Sequence, residues 1–207
     1  AKDADYVIFV GGLNKSDHQD CEGTDREQLD MPYHQEDVIR ALAEVAKKLV
    51  VVNISGSPVS MPWEDVADAI VQGWYGGTET GNALADVLTG KVNPSGKMPF
   101  TVPYEYEHGP IKTVRQYPGI KEEGDEYWQT HYDEGIYVGY RWYETQEIPV
   151  QWPFGHGLSY TTFEYGQAKA GKASMNADGT MTITVDVKNT GDREGAEVVQ
   201  LYIADTE

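Results

Sequence analysis

The stretch Leu49–Ile54 reads LVVVNI. It is apolar on both faces, which is typical of a strand buried inside a parallel sheet. Two other runs have strand character: Tyr6–Val10, which Gly11 and Gly12 end, and Val66–Trp74. We therefore predict three strands in the first part of the chain.

Helical patterns lie between and after these strands. From Tyr33 to Lys48 the apolar residues recur at helical spacing, and Pro32 suits the first turn of such a helix. The segment ETGNALADVLTG, Glu79–Gly90, predicts a second helix that ends at Gly90. Strands separated by helices indicate an α/β fold with a mostly parallel sheet and flanking helices.

The amino-acid composition changes from Lys91 onward. Residues 91–158 are rich in Pro, Gly, Tyr and charge, and predict a long aromatic-rich excursion within the first domain, residues 1–158. Residues 159–207 have all-β character: Thr180–Lys188 alternates like a half-buried antiparallel strand, NTGD at 189–192 indicates a turn, and Ala196–Ile203 predicts the next strand. We expect this second part to be an incomplete β-sandwich, because a sandwich needs about seven strands.

Composition excludes several classes of partner. The net charge is −18, with 34 Asp and Glu against 16 Lys and Arg, whereas nucleic-acid backbones select basic proteins. No apolar run approaches the roughly 20 residues of a membrane span. Cys21 is the sole cysteine, so no internal disulfide forms. The compartment stays open on these grounds.

A cluster of charged residues follows the first strand, in the segment KSDHQDCEGTDR at 15–26. A phosphate loop is disfavoured, because Asn14 and Phe9 stand where that motif needs glycine. A metal site is disfavoured too, since no second cysteine cluster exists. A serine-hydrolase elbow, G-x-S-x-G, is absent from the sequence. Two readings stay open: a solvated acidic loop that Arg26 ties down through Asp25, or a loop presenting a catalytic carboxylate.

The carboxylate reading centres on Glu22. Loops after the C-terminal ends of strands line the ligand crevice of α/β sheets. Gly23 lets the backbone turn tightly beside Glu22, and neighbouring anions favour the protonated form that a general acid needs.

Longer ordered segments resemble the C-terminal part of glycoside hydrolase family 3, the β-glucosidases and β-xylosidases. They follow one another along nearly the whole chain: EGTDREQLDMP (22–32), VVVNISGSPVSMPW (50–63), AIVQGWYGGTETGNALADVLTGKVNPSGKMPFTVP (69–103), YDEGIYVGYRWYE (132–144), WPFGHGLSYTTFEY (152–165) and VKNTGDREGAEVVQLYIAD (187–205).

This resemblance implies a retaining, exo-acting enzyme that removes a terminal β-linked sugar without a cofactor. Its N-terminal barrel carries the nucleophilic Asp, an α/β sandwich domain contributes the acid/base, and a fibronectin III-like domain follows. We expect residues 1–158 to be the C-terminal portion of that α/β sandwich and 159–207 the start of the fibronectin III-like domain. The expected partners are an oligosaccharide or β-glycoside and the barrel of the same full-length chain, with no nucleic acid and no membrane.

The family's E-G-x-D-R element falls on Glu22, Asp25 and Arg26. The resemblance implies that Glu22 is the catalytic acid/base and that Asp25 and Arg26 shape the loop. His18 is a candidate for binding a sugar hydroxyl, and the alternative is a histidine that is solvated or hydrogen-bonded to the backbone. No metal is expected. Without the barrel the chain is expected to be inactive. The resemblance favours an exported or periplasmic enzyme. The alternative is a non-catalytic carbohydrate-binding or interaction module, suggested by the Tyr- and Trp-rich residues 104–142.

Overall fold

The computed structural model describes residues 1–204. They form two compact units. The first contains Ala1–Leu84 and Met98–His156, and the second contains Ala85–Lys97 and the chain from Gly157 onward. The predicted division into 1–158 and 159–207 stays a prediction.

The first unit is built around a three-stranded parallel sheet in the order β1-β2-β3, comprising β1 (Val7–Gly12), β2 (Leu49–Ile54) and β3 (Ala69–Gln72). The central strand is the apolar run LVVVNI, and Leu49, Val51 and Val52 are fully buried in it. The prediction of a parallel sheet is confirmed. The third strand is shorter than predicted, because Glu64–Val66 forms a 3-10 turn before it.

Two helices follow β1 and β3: α1 (Gln35–Ala43) and α2 (Thr80–Leu88). The prediction that helix α1 includes Pro32 in its first turn is wrong. Tyr33 and His34 have φ angles of 63° and 56°, and these left-handed conformations keep them out of a right-handed helix. Within the core, Ile39 of α1 and the indole of Trp63 are fully buried.

The remainder of the first unit contains a short antiparallel pair, β4 (Val102–Pro103) with β5 (Val150–Trp152), and the helix α3 (Tyr140–Thr145). Gln151 connects this pair to the core: its amide donates to the Met61 carbonyl over 2.8 Å and accepts from the Met61 backbone N–H over 2.9 Å. Among residues 1–204, no helix is both long and apolar enough to cross a membrane.

Residues 104–139 run mostly without regular structure, in agreement with the excursion that their content of Pro, Gly and charge predicts. The aromatic side chains of this excursion are held by contacts only in part. The Trp142 indole donates to the His108 carbonyl over 2.9 Å, but Tyr127, Trp128 and Tyr132 are 69%, 61% and 77% exposed.

The second unit pairs short antiparallel strands: β6 (Phe163–Tyr165) with β9 (Val187–Asn189), and β7 (Lys169–Ala170) with β8 (Ile183–Thr184). The prediction of a single strand over Thr180–Lys188 is wrong. Two short strands, β8 and β9, form there instead, and they pair with different neighbours. The strand predicted over Ala196–Ile203 is also wrong for the residues described up to 204. In the part of the chain that the structure describes, residues 196–203 contain no strand or β-bridge.

Turn chemistry in the second unit agrees with the sequence. The Asn189 side-chain oxygen accepts from the Thr161 hydroxyl over 2.8 Å and from the Gly191 N–H over 3.1 Å, and its amide donates to the Arg193 carbonyl. The predicted turn at 189–192 is therefore confirmed. Lys97 and Glu197 form an ion pair of 2.9 Å that is largely screened from solvent.

Candidate active site

The acidic loop, residues 13–34, leaves the carboxyl end of β1. The Leu13 N–H still donates to the Ile54 carbonyl over 2.9 Å. Gly12 precedes it with a φ of 133°, and a Cβ at this position would lie 2.0 Å from that same carbonyl oxygen. Gly12 is thus required for close approach of two strands, which accounts for the glycine without any phosphate ligand.

Gln35 closes the base of the acidic loop. Its side-chain oxygen accepts from the Gly12 N–H over 2.8 Å, and its amide donates to the carbonyls of Gly12 at 2.8 Å and Pro32 at 2.9 Å. One residue at the start of α1 therefore binds the last residue of β1 and the end of the loop. Both ends of the loop are fixed to the sheet.

Asp20 fixes the middle of the loop to the same edge of the sheet. Its carboxylate accepts from the Gly56 N–H over 2.7 Å and from the Tyr75 hydroxyl over 2.7 Å, and the Ser57 hydroxyl also donates to it. Gly56 and Ser57 follow β2, and Tyr75 follows β3. The loop after the first strand is therefore bound to the turns after the other two.

Electrostatics at Asp20 favour the charged carboxylate. Partial burial by itself raises its pKa, but the hydrogen bonds from Ser57, Gly56 and Tyr75 and the positive charge of Arg26 outweigh burial, so the pKa of Asp20 is lowered. For Tyr75, burial and the negative Asp20 partner together raise the pKa to about 12. At neutral pH, Asp20 is an acceptor and Tyr75 a donor.

Arg26 is a second anchor for the loop. Its guanidinium donates from Nη1 to the Ser57 hydroxyl over 3.1 Å and to the Pro58 carbonyl. The interpretation that Arg26 ties the loop down through Asp25 is wrong, because its attractive carboxylates are Asp20 and Asp30. Asp25 instead accepts a hydrogen bond from the Tyr117 hydroxyl. Turn geometry directs neighbouring side chains in different directions, which sequence adjacency does not reveal.

Glu22 lies between these anchors, and its side chain is exposed. The residues around it bond within the loop: the Cys21 thiol lies 3.0 Å from the Thr24 hydroxyl, and these Thr24 hydrogen bonds lower the pKa of Cys21. The Thr24 hydroxyl also accepts from the His18 backbone N–H over 2.8 Å. These contacts form a tight turn that presents Glu22.

His18 belongs to the same turn. A ring nitrogen, Nδ1, lies 3.1 Å from the Asp25 carbonyl oxygen, and the backbone has a φ of 61°. The structure thus brings both predicted site residues, Glu22 and His18, into one loop segment. Among residues 1–204, no group of three His, Cys, Asp or Glu side chains is arranged to hold a metal ion.

Sequence reasoning did not single out Asp20, Ser57 or Tyr75 as a connected set. The available signal was weak: SGSP, residues 55–58, follows a buried strand, and WYGG, residues 74–77, follows the next one. Parallel strands end at a common edge, so turns after neighbouring strands are expected to meet there. The choice of Asp20 among several acidic residues depends on geometry alone.

Comparison with known proteins places this loop in a family. Residues 1–140 match the family model described as the glycosyl hydrolase family 3 C-terminal domain. The chain belongs to glycoside hydrolase family 3. The match starts before β1 and includes the acidic loop, the three-stranded sheet and α1 and α2.

Individual relatives agree with this family. The chain is 49% identical over 211 residues to the β-glucosidase BoGH3A of Bacteroides ovatus, covering 100% of this chain and 27% of that protein. It is 42% identical over 205 residues to the thermostable β-glucosidase B of Acetivibrio thermocellus, covering 99% and 26% respectively. The chain thus spans about a quarter of the length of these family 3 relatives.

A solved family 3 structure has the same fold. The crystal structure of DesR, a β-glucosidase from Streptomyces venezuelae in complex with D-glucose, superposes with a TM-score of 0.81 at 34% sequence identity. The alignment covers 93% of this chain and 23% of DesR. The resemblance in the sequence motifs is therefore confirmed, and the mixed α/β fold with its parallel sheet agrees with a family 3 C-terminal domain.

Proposed function

We propose that this chain supplies the general acid/base of a retaining, exo-acting β-glycosidase, and that Glu22 is that group. The observation that carries the proposal is the position of Glu22: an exposed carboxylic acid on a turn held from both sides at the carboxyl edge of a parallel sheet. That edge is where α/β folds bind ligands. The match of EGTDR to the family element supports the same residue.

The mechanism needs two carboxyl groups with different protonation states. In retaining hydrolysis they lie roughly 5 Å apart on opposite sides of the glycosidic bond. Protonated Glu22 donates its proton to the departing oxygen while a nucleophilic Asp, supplied by the N-terminal barrel of the full-length chain, attacks the anomeric carbon. The Glu22 carboxylate then takes a proton from water while the water oxygen attacks the anomeric carbon. This attack breaks the bond between the sugar and the Asp, so the sugar leaves with its original configuration and the Asp returns as a carboxylate.

The substrate class is a terminal β-glucoside or β-xyloside, and β-glucosides are favoured because the relatives are β-glucosidases. No cofactor is needed, since proton transfer and a carboxylate nucleophile complete the reaction. We propose that His18 binds a sugar hydroxyl beside Glu22, because both residues are exposed in the same turn. The nucleophile is expected outside this chain, so residues 1–207 alone are expected to be inactive.

The domain assignment is part of this proposal. We assign residues 1–158 to a portion of the family's α/β sandwich domain. We assign residues 159–207 to the start of a fibronectin III-like domain, and the two antiparallel strand pairs found there support that assignment.

The test is the dependence of hydrolysis on the leaving group in the full-length enzyme. Glu22→Gln removes the proton donor, so kcat/KM for an alkyl or cellobioside substrate, whose leaving group needs protonation, should fall by about 10²–10⁴. Dinitrophenyl glucoside, whose leaving group departs unassisted, should lose far less in kcat/KM. Equal losses on both substrates would assign the acid to another residue. Turnover of an aryl glucoside by purified 1–207 would contradict the need for the barrel.

A second candidate function is carbohydrate binding without catalysis. The exposed rings of Tyr127, Trp128 and Tyr132 favour it, because aromatic faces combine apolar area with polar edges. Titration of cello- and xylo-oligosaccharides against tryptophan fluorescence, with Trp128→Ala as the control, tests it. Saturable binding that Trp128→Ala abolishes, together with a fully active Glu22→Gln enzyme, would favour the binding module.

A further inference from the structure

We infer that Asp20 is a positioning residue for Glu22: its hydrogen bonds to Gly56, Ser57 and Tyr75, together with Arg26 on the same Ser57, clamp the turn that carries the acid/base. This inference rests on the proposed role of Glu22. In this role Asp20 and its partners fix the position of the Glu22 side chain and do not themselves contact the substrate.

The clamp has two arms that meet at one point. Asp20 lies just before Glu22 and accepts a hydrogen bond from the Ser57 hydroxyl. Arg26 lies just after Glu22 and donates to the Ser57 oxygen over 3.1 Å. The Ser57 hydroxyl thus donates to one arm and accepts from the other, which uses both of its hydrogen-bonding functions. The residues on either side of the Glu22 turn thus share the Ser57 side chain as a common partner.

The clamp acts on the middle of the loop. The ends are already held by other contacts: Gln35 binds Gly12 and Pro32, and the Ser60 hydroxyl donates to Asp30 over 3.0 Å. Removing Asp20 therefore leaves the loop ends attached and frees the segment that contains Glu22. A residue needed only for folding would be expected to pack in the hydrophobic core with Trp63 and Ile39, and Asp20 is not part of that cluster.

A carboxylate suits this position better than its amide. All three partners of Asp20 donate: the Gly56 N–H, the Ser57 O–H and the Tyr75 O–H. Hydrogen bonds to a charged acceptor are about twice as strong as neutral ones. In Asp20→Asn the acceptor is neutral and has one oxygen in place of two, so the charge-assisted hydrogen bonds would weaken and the clamp would loosen.

Loss of the clamp should appear as a catalytic defect of a particular kind. A displacement of about 1 Å in a catalytic group can cost about 10²-fold in rate. If the displaced group is the proton donor, the loss falls on substrates whose leaving group needs a proton and spares those that leave unassisted. A change in sugar binding would instead affect both substrates alike.

The experiment compares four variants of the full-length enzyme: Asp20→Asn, Ser57→Ala, Ser57→Thr and Glu22→Gln. The matched control is Asp17→Asn, which removes the same charge from an exposed aspartate of the same loop. For each, kcat/KM is measured on cellobiose and on dinitrophenyl glucoside. We expect Asp20→Asn and Ser57→Ala to lose about 10- to 100-fold on cellobiose and less than about threefold on the activated substrate. Ser57→Thr, which keeps a hydroxyl, should recover most of the loss, and Asp17→Asn should match the wild type.

The possible results separate the two claims. If Glu22→Gln shows the leaving-group effect but Asp20→Asn and Ser57→Ala match the control or lose equally on both substrates, the positioning role is overturned while the acid role stands. If Glu22→Gln itself loses equally on both substrates, the proposed function fails. Should Asp20→Asn not fold, as judged by its melting curve, Ser57→Ala and Tyr75→Phe decide the matter under the same criterion, since the first removes two hydrogen bonds of the clamp and the second removes one.

Discussion

The Asp20 carboxylate and the Ser57 hydroxyl are hydrogen-bonded although 37 positions separate them in the sequence. One residue lies in the loop after β1, and the other lies in the turn after β2. This bond joins two turns at the carboxyl edge of the sheet and fixes the segment between Asp20 and Arg26.

Replacement of Gly12 by alanine should destabilise the junction of β1 and the acidic loop. The new Cβ would lie 2.0 Å from the Ile54 carbonyl oxygen, and the φ of 133° is itself strained for a residue with a Cβ. We expect a melting temperature several degrees lower, or loss of soluble protein, measured by thermal denaturation. Gly81→Ala is the control, because that glycine lies in α2 with open space around its Cβ position. Equal melting of the two variants would contradict the close approach.

Replacement of Gln151 by alanine should loosen the contact between β5 and the core. The change removes both hydrogen bonds to the Met61 backbone and the one to Glu64 Oε2. Each buried backbone group left without a partner costs about 1–3 kcal/mol. We therefore expect the free energy of unfolding, measured by denaturant titration, to fall by about 2 kcal/mol. Gln28→Ala, an exposed change in the acidic loop, should leave that free energy unaltered. A wild-type value for Gln151→Ala would show that water replaces these contacts.

Acid should remove the stabilisation that Asp20 provides. Burial opposes the charge of Asp20, but its hydrogen bonds and Arg26 lower its pKa below the ordinary value of 3.8. A lowered carboxyl pKa stabilises the folded state above the unfolded-state pKa, and this contribution disappears as pH falls through the folded-state pKa.

The measurement is the difference in melting temperature between the wild type and Asp20→Asn as a function of pH. We expect the wild type to melt higher from neutral pH down to about pH 4, and the difference to shrink below that as Asp20 becomes protonated. A difference that grows toward lower pH would contradict the sign of the shift. Asp17→Asn supplies the baseline for loss of an exposed aspartate.

Much of the sheet was predictable because its signals are local and redundant. LVVVNI is apolar on both faces, and a strand in the centre of a parallel sheet has both of its faces buried. The helix α2 ends near Gly90 as predicted, and Gly90 has a φ of 74°. The start of α1 was misplaced because the left-handed conformations of Tyr33 and His34 leave no mark in a hydrophobic pattern.

The all-β tail was the least predictable region. Apolar alternation over Thr180–Lys188 indicates extended chain, but pairing decides which residues become strand, and β8 and β9 pair with different neighbours. Within the acidic loop, the family motif selected Glu22. The contacts that hold it could not be inferred, because Asp20, Asp25 and Asp30 look alike in sequence and bind Ser57, Tyr117 and Ser60 respectively.

The most direct measurement of the central claim is rescue of the full-length Glu22→Ala enzyme by azide. With dinitrophenyl glucoside the first step needs no acid, so the glycosyl-enzyme forms and then waits for a base to activate water. Azide is an anionic nucleophile that needs no base, and the space left by Glu22 admits it. Added azide should therefore raise turnover of Glu22→Ala at least tenfold and yield a β-configured glucosyl azide, whereas the wild type and Asp17→Asn should not respond. Absence of rescue, or an α-configured azide, would contradict the assignment of Glu22 as the acid/base of a retaining glycosidase.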